Sequence, residues 1–169
     1  MNQIDVLSVG DVVSDAFIKL LDDRAEVTKT DNGPILSMPF GMKVPFDHAE
    51  ILNAVGNAAN AAVNFSKLGL NSGLVSNVGG DSAGRDIITT LDHAGVETHF
   101  VKINPKKKSN YHYVLWYKEE RTILVKHEDY KYRWPHLRKD EVPKWIYFSS
   151  ISENAMGMHD DIAEWLEEN

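Results

Sequence analysis

Three short apolar runs restrict the fold more than any other feature of the chain. IDVLSVG (Ile4 to Gly10) and SGLVSNVG (Ser72 to Gly79) read as buried strands that feed loops, and WIYFSS (Trp145 to Ser150) as a strongly apolar strand. Helical patterns stand between and after them. DSAGRDIITTLDHAG is a helix capped by Asp81 or Ser82, with Ile87, Ile88 and Leu91 on its apolar face and Gly95 closing it. HDDIAEWLEEN is an amphipathic helix with Ile162, Trp165 and Leu166 directed inward. Strands alternating with helices predict a doubly wound α/β sheet with parallel strands. A helix after WIYFSS is half of a crossover without a receiving strand, so the chain reads as the first part of something longer.

Other segments fit that core poorly. AFIKLL reads as a second, exposed strand, Gly33-Pro34 as a turn, and Ile35 to Phe46 as an extended stretch that Pro39 and Pro45 confine to an edge. VETHFVKI is a further strand. NYHYVLWYKEERTILVKHE is a hairpin around the charged turn Lys118 to Arg121; alternation puts Tyr111, Tyr113, Leu115 and Tyr117 on one side and His112, Val114 and Trp116 on the other. The early edge strands and this aromatic hairpin suit a small β-layer projecting from the core.

GNAANAAVNFSKLGL (Gly56 to Leu70) is a helix of unusual composition, closed by Gly69. Asn57, Asn60 and Asn64, extended backwards by Asn53, keep one side of a single helix, although Asn is a mediocre helix former and a wet face ordinarily carries Lys and Glu. Such a face is either a quirk of composition or the wall of a polar cavity.

Composition excludes several classes. The chain has 169 residues and a net charge of -7, which argues against a nucleic-acid surface, and Lys106 to Lys108 reads as a solvated turn. It has no cysteine, hence neither disulfides nor thiolate zinc sites. No apolar run approaches the roughly 20 residues that span a bilayer, and the N-terminus lacks a signal-peptide pattern. A cytoplasmic protein without membrane or nucleic-acid partners is expected. No glycine precedes a lysine, which removes the Walker phosphate loop; Gly10 alone follows the first strand, which removes the dinucleotide fingerprint. The seven histidines show no metal-ligand spacing, so no metal site is expected.

What remains is a polar constellation. Asp11 and Asp15 follow the first strand, where open α/β sheets place ligands. Asn57 and Asn60 lie early in their helix, and an amide both donates to and accepts from a hydroxyl. VGGDSAG (Val78 to Gly84) is a strand-to-helix turn lined with glycines. Carboxylates and amides without a strong nucleophile suit a polyhydroxylated ligand.

The segment from Gly56 to Thr98, with the glycine before the helix, Asn60, Gly69, the G-x-D-x-x-G of Gly79, Asp81 and Gly84, and Gly95-Val96, resembles the first signature region of the ribokinase-like PfkB carbohydrate and nucleoside kinases. DVLSVGDVVSD resembles that family's opening strand and substrate loop. The resemblance implies a Rossmann-like, ribokinase-type core, incomplete here, with a β-sheet lid formed from segments near 17–46 and 110–128. In many members that lid also mediates homodimerisation.

It further implies a substrate site that includes Asp11, Asp15, Gly56, Asn57 and Asn60, taking a sugar or nucleoside. Asn60 matches a residue that binds substrate hydroxyls, Asp15 the acidic ligand after the first strand, and Gly56-Asn57 the glycine-rich turn, which in the family is often Gly-Gly. Each has a structural rival: a packing amide for Asn60, loop caps for Asp15 and Asp11. Gly79, Gly80 and Gly84 suit the turn itself, with Asp81 as its cap. The family's catalytic aspartate lies in a G-A-G-D motif that this sequence lacks, and its ATP and Mg2+ sites lie in the same missing half. The expectation is an ATP-dependent kinase whose substrate half is held here, inactive alone, with no cofactor bound by this chain. The alternative is a non-catalytic sugar- or nucleoside-binding or dimerisation module derived from that fold.

Overall fold

The computed structural model of the chain describes residues 3–168. Two compact units are present. One comprises the residues up to 14, 53–111 and those from 126 onward, the other residues 15–52 and 112–125.

In chain order the elements are β1 (Val6–Val9), β2 (Val13–Leu20), β3 (Glu26–Thr30), β4 (Gly33–Ser37), β5 (Phe46–Val55), α1 (Asn57–Lys67), β6 (Ser72–Gly79), α2 (Ser82–His93), β7 (Val101–Asn104), β8 (Tyr111–Tyr117), β9 (Glu120–Leu124), β10 (Trp145–Phe148) and α3 (Met156–Glu168).

The first unit is built on a four-stranded sheet ordered β10-β1-β6-β7, parallel throughout. Leu7 stands in register between Ile146 and Gly73. Successive side chains leave opposite faces of a strand, and both faces here are apolar. Leu74 and Val78 face one cluster with Ala58, Ala59 and Ala62 of α1 and Ile87 and Leu91 of α2. Leu7, Val9 and Val75 face another with Phe100, Tyr130, Tyr132, and Met158 and Ile162 of α3. Helices on both faces of a parallel sheet make the doubly wound α/β architecture that the sequence predicts.

Local chemistry sets the helix ends. Asp81 caps α2, accepting from Gly84 N at 3.1 Å. It also accepts from Ser109 N at 3.1 Å and Ser109 Oγ at 2.7 Å, which ties the segment before β8 to the same turn. Burial pushes the Asp81 carboxyl up, but these hydrogen bonds outweigh it and hold the group below its ordinary value. Gly69 and Gly95 follow the ends of α1 and α2 at φ 87° and 78°.

The second unit holds most of a sheet ordered β5-β2-β8-β9, and the antiparallel pair β3-β4. Tyr117 Oη donates to Ala25 O at 2.8 Å and Asp22 O at 3.2 Å, and Lys19 Nζ lies 4.2 Å from the centre of the Trp116 ring.

Several expectations are corrected. Asn53 is not helical: it ends the long strand β5, which the sequence does not announce because most of Phe46–Val55 is exposed and lacks an alternating pattern. AFIKLL belongs to β2, an interior strand in which Val13, Ala16 and Leu20 are buried. Of Ile35 to Phe46 only the two ends are strand, the start within β4, whose turn from β3 lies at Asp31-Asn32, just before Gly33, and Phe46 as the first residue of β5. VETHFVKI shrinks to β7 plus a single bridge from Glu97 to Gly73. The hairpin turn is two residues, Lys118 and Glu119, with Tyr117 paired to Glu120. Val114 and Tyr117 are its buried residues, one from each expected side. Leu166 is 55% exposed, while Met158 joins Ile162 inside.

Ser72 and Ser76 lie on the Leu74 face, and with Ser8 their buried hydroxyls make no hydrogen bond. Small side chains there let the alanines of α1 approach, so the hydroxyls are tolerated rather than used. Urea unfolding should therefore show Leu74→Ala losing about 2–5 kcal/mol. Ser72→Ala should stay within about 0.5 kcal/mol of the parent or gain stability, since it removes an unpaired buried polar group.

Candidate functional site

In the first unit, three of the five predicted site residues, Asp11, Gly56 and Asn57, meet past the C-terminal end of β1, and Asn60 lies on the helix that starts there. The chain leaves β1 through Gly10, and Asp11 N donates to Ser150 O, just past β10, at 3.2 Å. The carboxylate of Asp11 is a buried hub. Tyr132 Oη donates to Oδ1 at 2.6 Å and Ser152 Oγ to Oδ2 at 2.7 Å, with His127 Nδ1 3.6 Å from Oδ2. Tyr132 Oη and Ser152 Oγ are themselves 3.1 Å apart. Burial, and then the hydrogen bond to Asp11, push the Tyr132 phenol well above its ordinary range, so Tyr132 stays a neutral donor. Both oxygens of Asp11 are thus engaged by the chain itself.

Gly56 and Asn57 are brought to the same place. Gly56, at φ 110°, is the N-cap of α1, and a Cβ on it would stand 2.8 Å from the carbonyl oxygen of Asp11. Only glycine combines that dihedral with that approach. Asn57 Nδ2 donates to Ser150 Oγ at 2.8 Å, so Asp11 and Asn57 share Ser150 as partner. Asn60 lies one turn further along the same exposed face of α1. Its amide makes no hydrogen bond among the described residues. Asn64 continues the face, whereas Asn53 accepts from Ser14 Oγ at 2.7 Å within the strand layer.

The fifth residue, Asp15, lies in the second unit. On β2 it stands beside His112 of the neighbouring strand β8, with Oδ1 3.2 Å from His112 Nδ1. Their side chains are 19% and 13% exposed. Burial raises the Asp15 carboxyl above its ordinary value, and His112 offsets that in part.

The sequence does not point to Tyr132, Ser152, His127 or His112. Tyr132 and Ser152 are 121 and 141 residues from Asp11, and no local spacing marks so distant a contact.

The Gly79–Gly84 turn is closed: a Cβ on Gly80 would meet Pro105 Cα at 2.7 Å, and Asp81 already occupies the N-terminus of α2. Among the described residues no group of three or more His, Asp or Glu could hold a metal ion.

Residues 52–149 match the family described as pfkB family carbohydrate kinase. The bifunctional protein HldE of Magnetococcus marinus is 33% identical over 97 residues, 57% of this chain and 18% of that protein. Among solved structures, the nucleoside kinase of Methanocaldococcus jannaschii, an archaeal member of the ribokinase family, superposes with a TM-score of 0.54 at 20% identity, over 73% of this chain and 37% of its own. A carbohydrate kinase from Agrobacterium tumefaciens gives 0.52 at 19% identity, over 73% and 35%. The chain therefore spans about a third of these solved structures and under a fifth of the bifunctional relative.

Two measurements test the site as described. Gly56→Ala should lose about 1–3 kcal/mol in urea unfolding, from the strained dihedral and the displaced Asp11 carbonyl. Because the folded chain holds the Asp15 proton more tightly than the unfolded chain, Asp15 contributes stability in acid that is lost as pH rises from its ordinary 3.8 through the raised folded value. The stability difference between parent and Asp15→Asn should accordingly shrink, to the parent's disadvantage, between about pH 3 and pH 7.

Proposed function

Because the chain belongs to the pfkB family of carbohydrate kinases, we propose that it is the substrate-binding portion of an ATP-dependent kinase that phosphorylates a hydroxyl of a sugar or nucleoside. The observation that carries this reading is the exposed amide face at the start of α1. Asn57 and Asn60 are exposed in the first turn of α1, Asn57 bonded to Ser150 just past β10, and Asn60 has no partner among the described residues. An unpaired amide can both donate to and accept from a sugar hydroxyl. Asp15, in its own unit, is assigned to accept from a second hydroxyl, and Gly56 to let the backbone approach closely. Asp11 is assigned a supporting role at the substrate loop, since its oxygens already serve Tyr132 and Ser152.

When bound, ATP with Mg2+ supplies the phosphoryl group transferred in this family. This chain would bind and orient the acceptor alcohol, and orientation alone accounts for much of the barrier lowering in such transfers. The base that takes the hydroxyl proton is assigned to a G-A-G-D segment, which this sequence does not contain. The chain is accordingly assigned no turnover of its own. The segments near 17–46 and 110–128 are assigned to a substrate lid and to homodimerisation. A cytoplasmic location is assigned with this reading; no helix of the described residues is long and apolar enough to cross a membrane.

Calorimetric titration of the 169-residue chain with ribose, fructose and adenosine, with and without Mg-ATP, tests the proposal. One of these should bind without ATP, and Asn60→Ala should weaken it up to about tenfold, the worth of a net hydrogen bond. ATP turnover by this chain alone, or sugar binding indifferent to Asn60, would overturn it.

A further inference from the structure

The turn between β3 and β4 carries the one Asn-Gly pair of the sequence, Asn32-Gly33. Asp31 and Asn32 make the turn, and both are exposed. Gly33 opens β4 at φ 103°, and a Cβ built on it would meet nothing within 4 Å. Asn32 N donates to Thr30 Oγ1 at 3.3 Å, while the Asn32 side-chain amide makes no hydrogen bond among the described residues. β3 is exposed along its whole length and forms a two-stranded sheet with β4. A two-stranded ribbon of that kind is marginal in water, so its turn opens at little cost. The contrast within the chain is Asn71-Ser72, where a small residue also follows an asparagine. Asn71 N donates to Asp5 Oδ2 at 2.9 Å and Nδ2 to Gln3 O at 3.2 Å, and Ser72 is buried at the start of β6.

We propose that Asn32 is a site of spontaneous deamidation through a cyclic imide, and that the isoaspartyl product disrupts the pairing of β3 with β4. In the opened turn the Gly33 backbone nitrogen gives its proton to hydroxide and attacks Asn32 Cγ. The new N–Cγ bond closes the imide ring, the Cγ–Nδ2 bond breaks, and the side-chain nitrogen leaves as ammonia with a proton from water. Glycine favours the step because no side chain hinders the approach of its nitrogen. Water then opens the ring at either carbonyl carbon. Cleavage at Cγ leaves aspartate; cleavage at the main-chain carbonyl leaves isoaspartate, whose backbone runs through Cβ and Cγ. The sum is amide plus water giving acid plus ammonia, with nothing oxidised or reduced.

Both products place a negative charge beside Asp31. Isoaspartate also adds a carbon to the main chain of a tight turn. Thr30 and Gly33, which flank that turn, are paired in register, and Thr30 Oγ1 donates to Gly33 O at 2.7 Å. Turn length fixes hairpin register, so a longer main chain displaces the pair that closes the ladder.

The test holds the full 169-residue chain, folded, in mildly alkaline and mildly acid buffer and follows its tryptic peptides by mass spectrometry. Residues 30–43 form one peptide with Asn32 as its only side-chain amide, and residues 68–85 another, with Asn71 and Asn77. Peptide 30–43 should lose its amide form to two chromatographically separate acids, aspartyl and isoaspartyl, faster in alkali, while 68–85 keeps its amides. A peptide 30–43 that keeps its amide, or converts no faster than 68–85, would overturn the proposal. Asn32→Gln, which must close a larger ring, should stay unconverted; its conversion at the parent's rate would sink the imide route. Amide hydrogen exchange over residues 26–37 should be faster in the aged parent than in equally aged Asn32→Gln. Equal exchange counts against disrupted pairing. Fresh Asn32→Asp carries the charge without the added carbon and should exchange as the unaged parent does; exchange as fast as in the aged parent rules out the lengthened main chain as the cause.

Discussion

The close approach of α1 to the end of β1 is the constraint on which the rest of the first unit depends. A Cβ on Gly10 would stand 2.8 Å from the Ala58 Cβ, and one on Gly56 would stand 2.8 Å from the Asp11 carbonyl oxygen. Two glycines and a run of alanines thus let a helix start directly over the end of a strand. The cost is a helix with no side-chain cap and little large apolar surface of its own. The compensation comes from the sheet, whose Leu74 and Val78 reach up to Ala58, Ala59 and Ala62. Burial at about 25 cal/mol per Å² rewards that seat only if the helix stays close.

That seat determines what the polar residues can do. Asn57 is held through Ser150, and Ser150 in turn receives the backbone of Asp11. Asp11 gathers Tyr132, Ser152 and His127 from segments far along the chain. The first unit therefore divides its polar groups by task. Asp11 is saturated and buried, which suits holding loops in place, whereas Asn60 is exposed and unpaired among the described residues, which suits meeting a ligand. In the second unit, Asp15 and His112 form a partly buried pair whose balance of burial and charge is unlike that of Asp11.

Much of the first unit was legible from residues alone. SGLVSNVG coincides with β6, and the cap and apolar face of α2 are where Asp81, Ile87 and Leu91 predict them. Both elements are buried on a consistent face, which is what hydrophobic periodicity records. Strands of the second unit were read less well for the same reason. β3 and β9 are exposed along their length, and β5 over most of it. Neither face then imposes a pattern. Asn53 illustrates the error this allows: its spacing to Asn57 suits a helix, but Gly56 at φ 110° ends the strand and starts the helix between them.

The amino-acid sequence by itself determined the alternation of strands and helices, the glycine-opened helix with its amide face, and the absence of a phosphate loop, a metal-ligand spacing or a G-A-G-D segment. These are local properties, because capping, periodicity and dihedral preference act within a few residues. Only the tertiary structure decided which polar groups are spent and which are left over. Asp11 and Asp15 look alike in the sequence, both being acids just past the first strand. One is claimed by hydroxyls more than a hundred residues away and the other by a histidine on the neighbouring strand. That distinction depends on strand order and burial, which no short stretch of residues encodes.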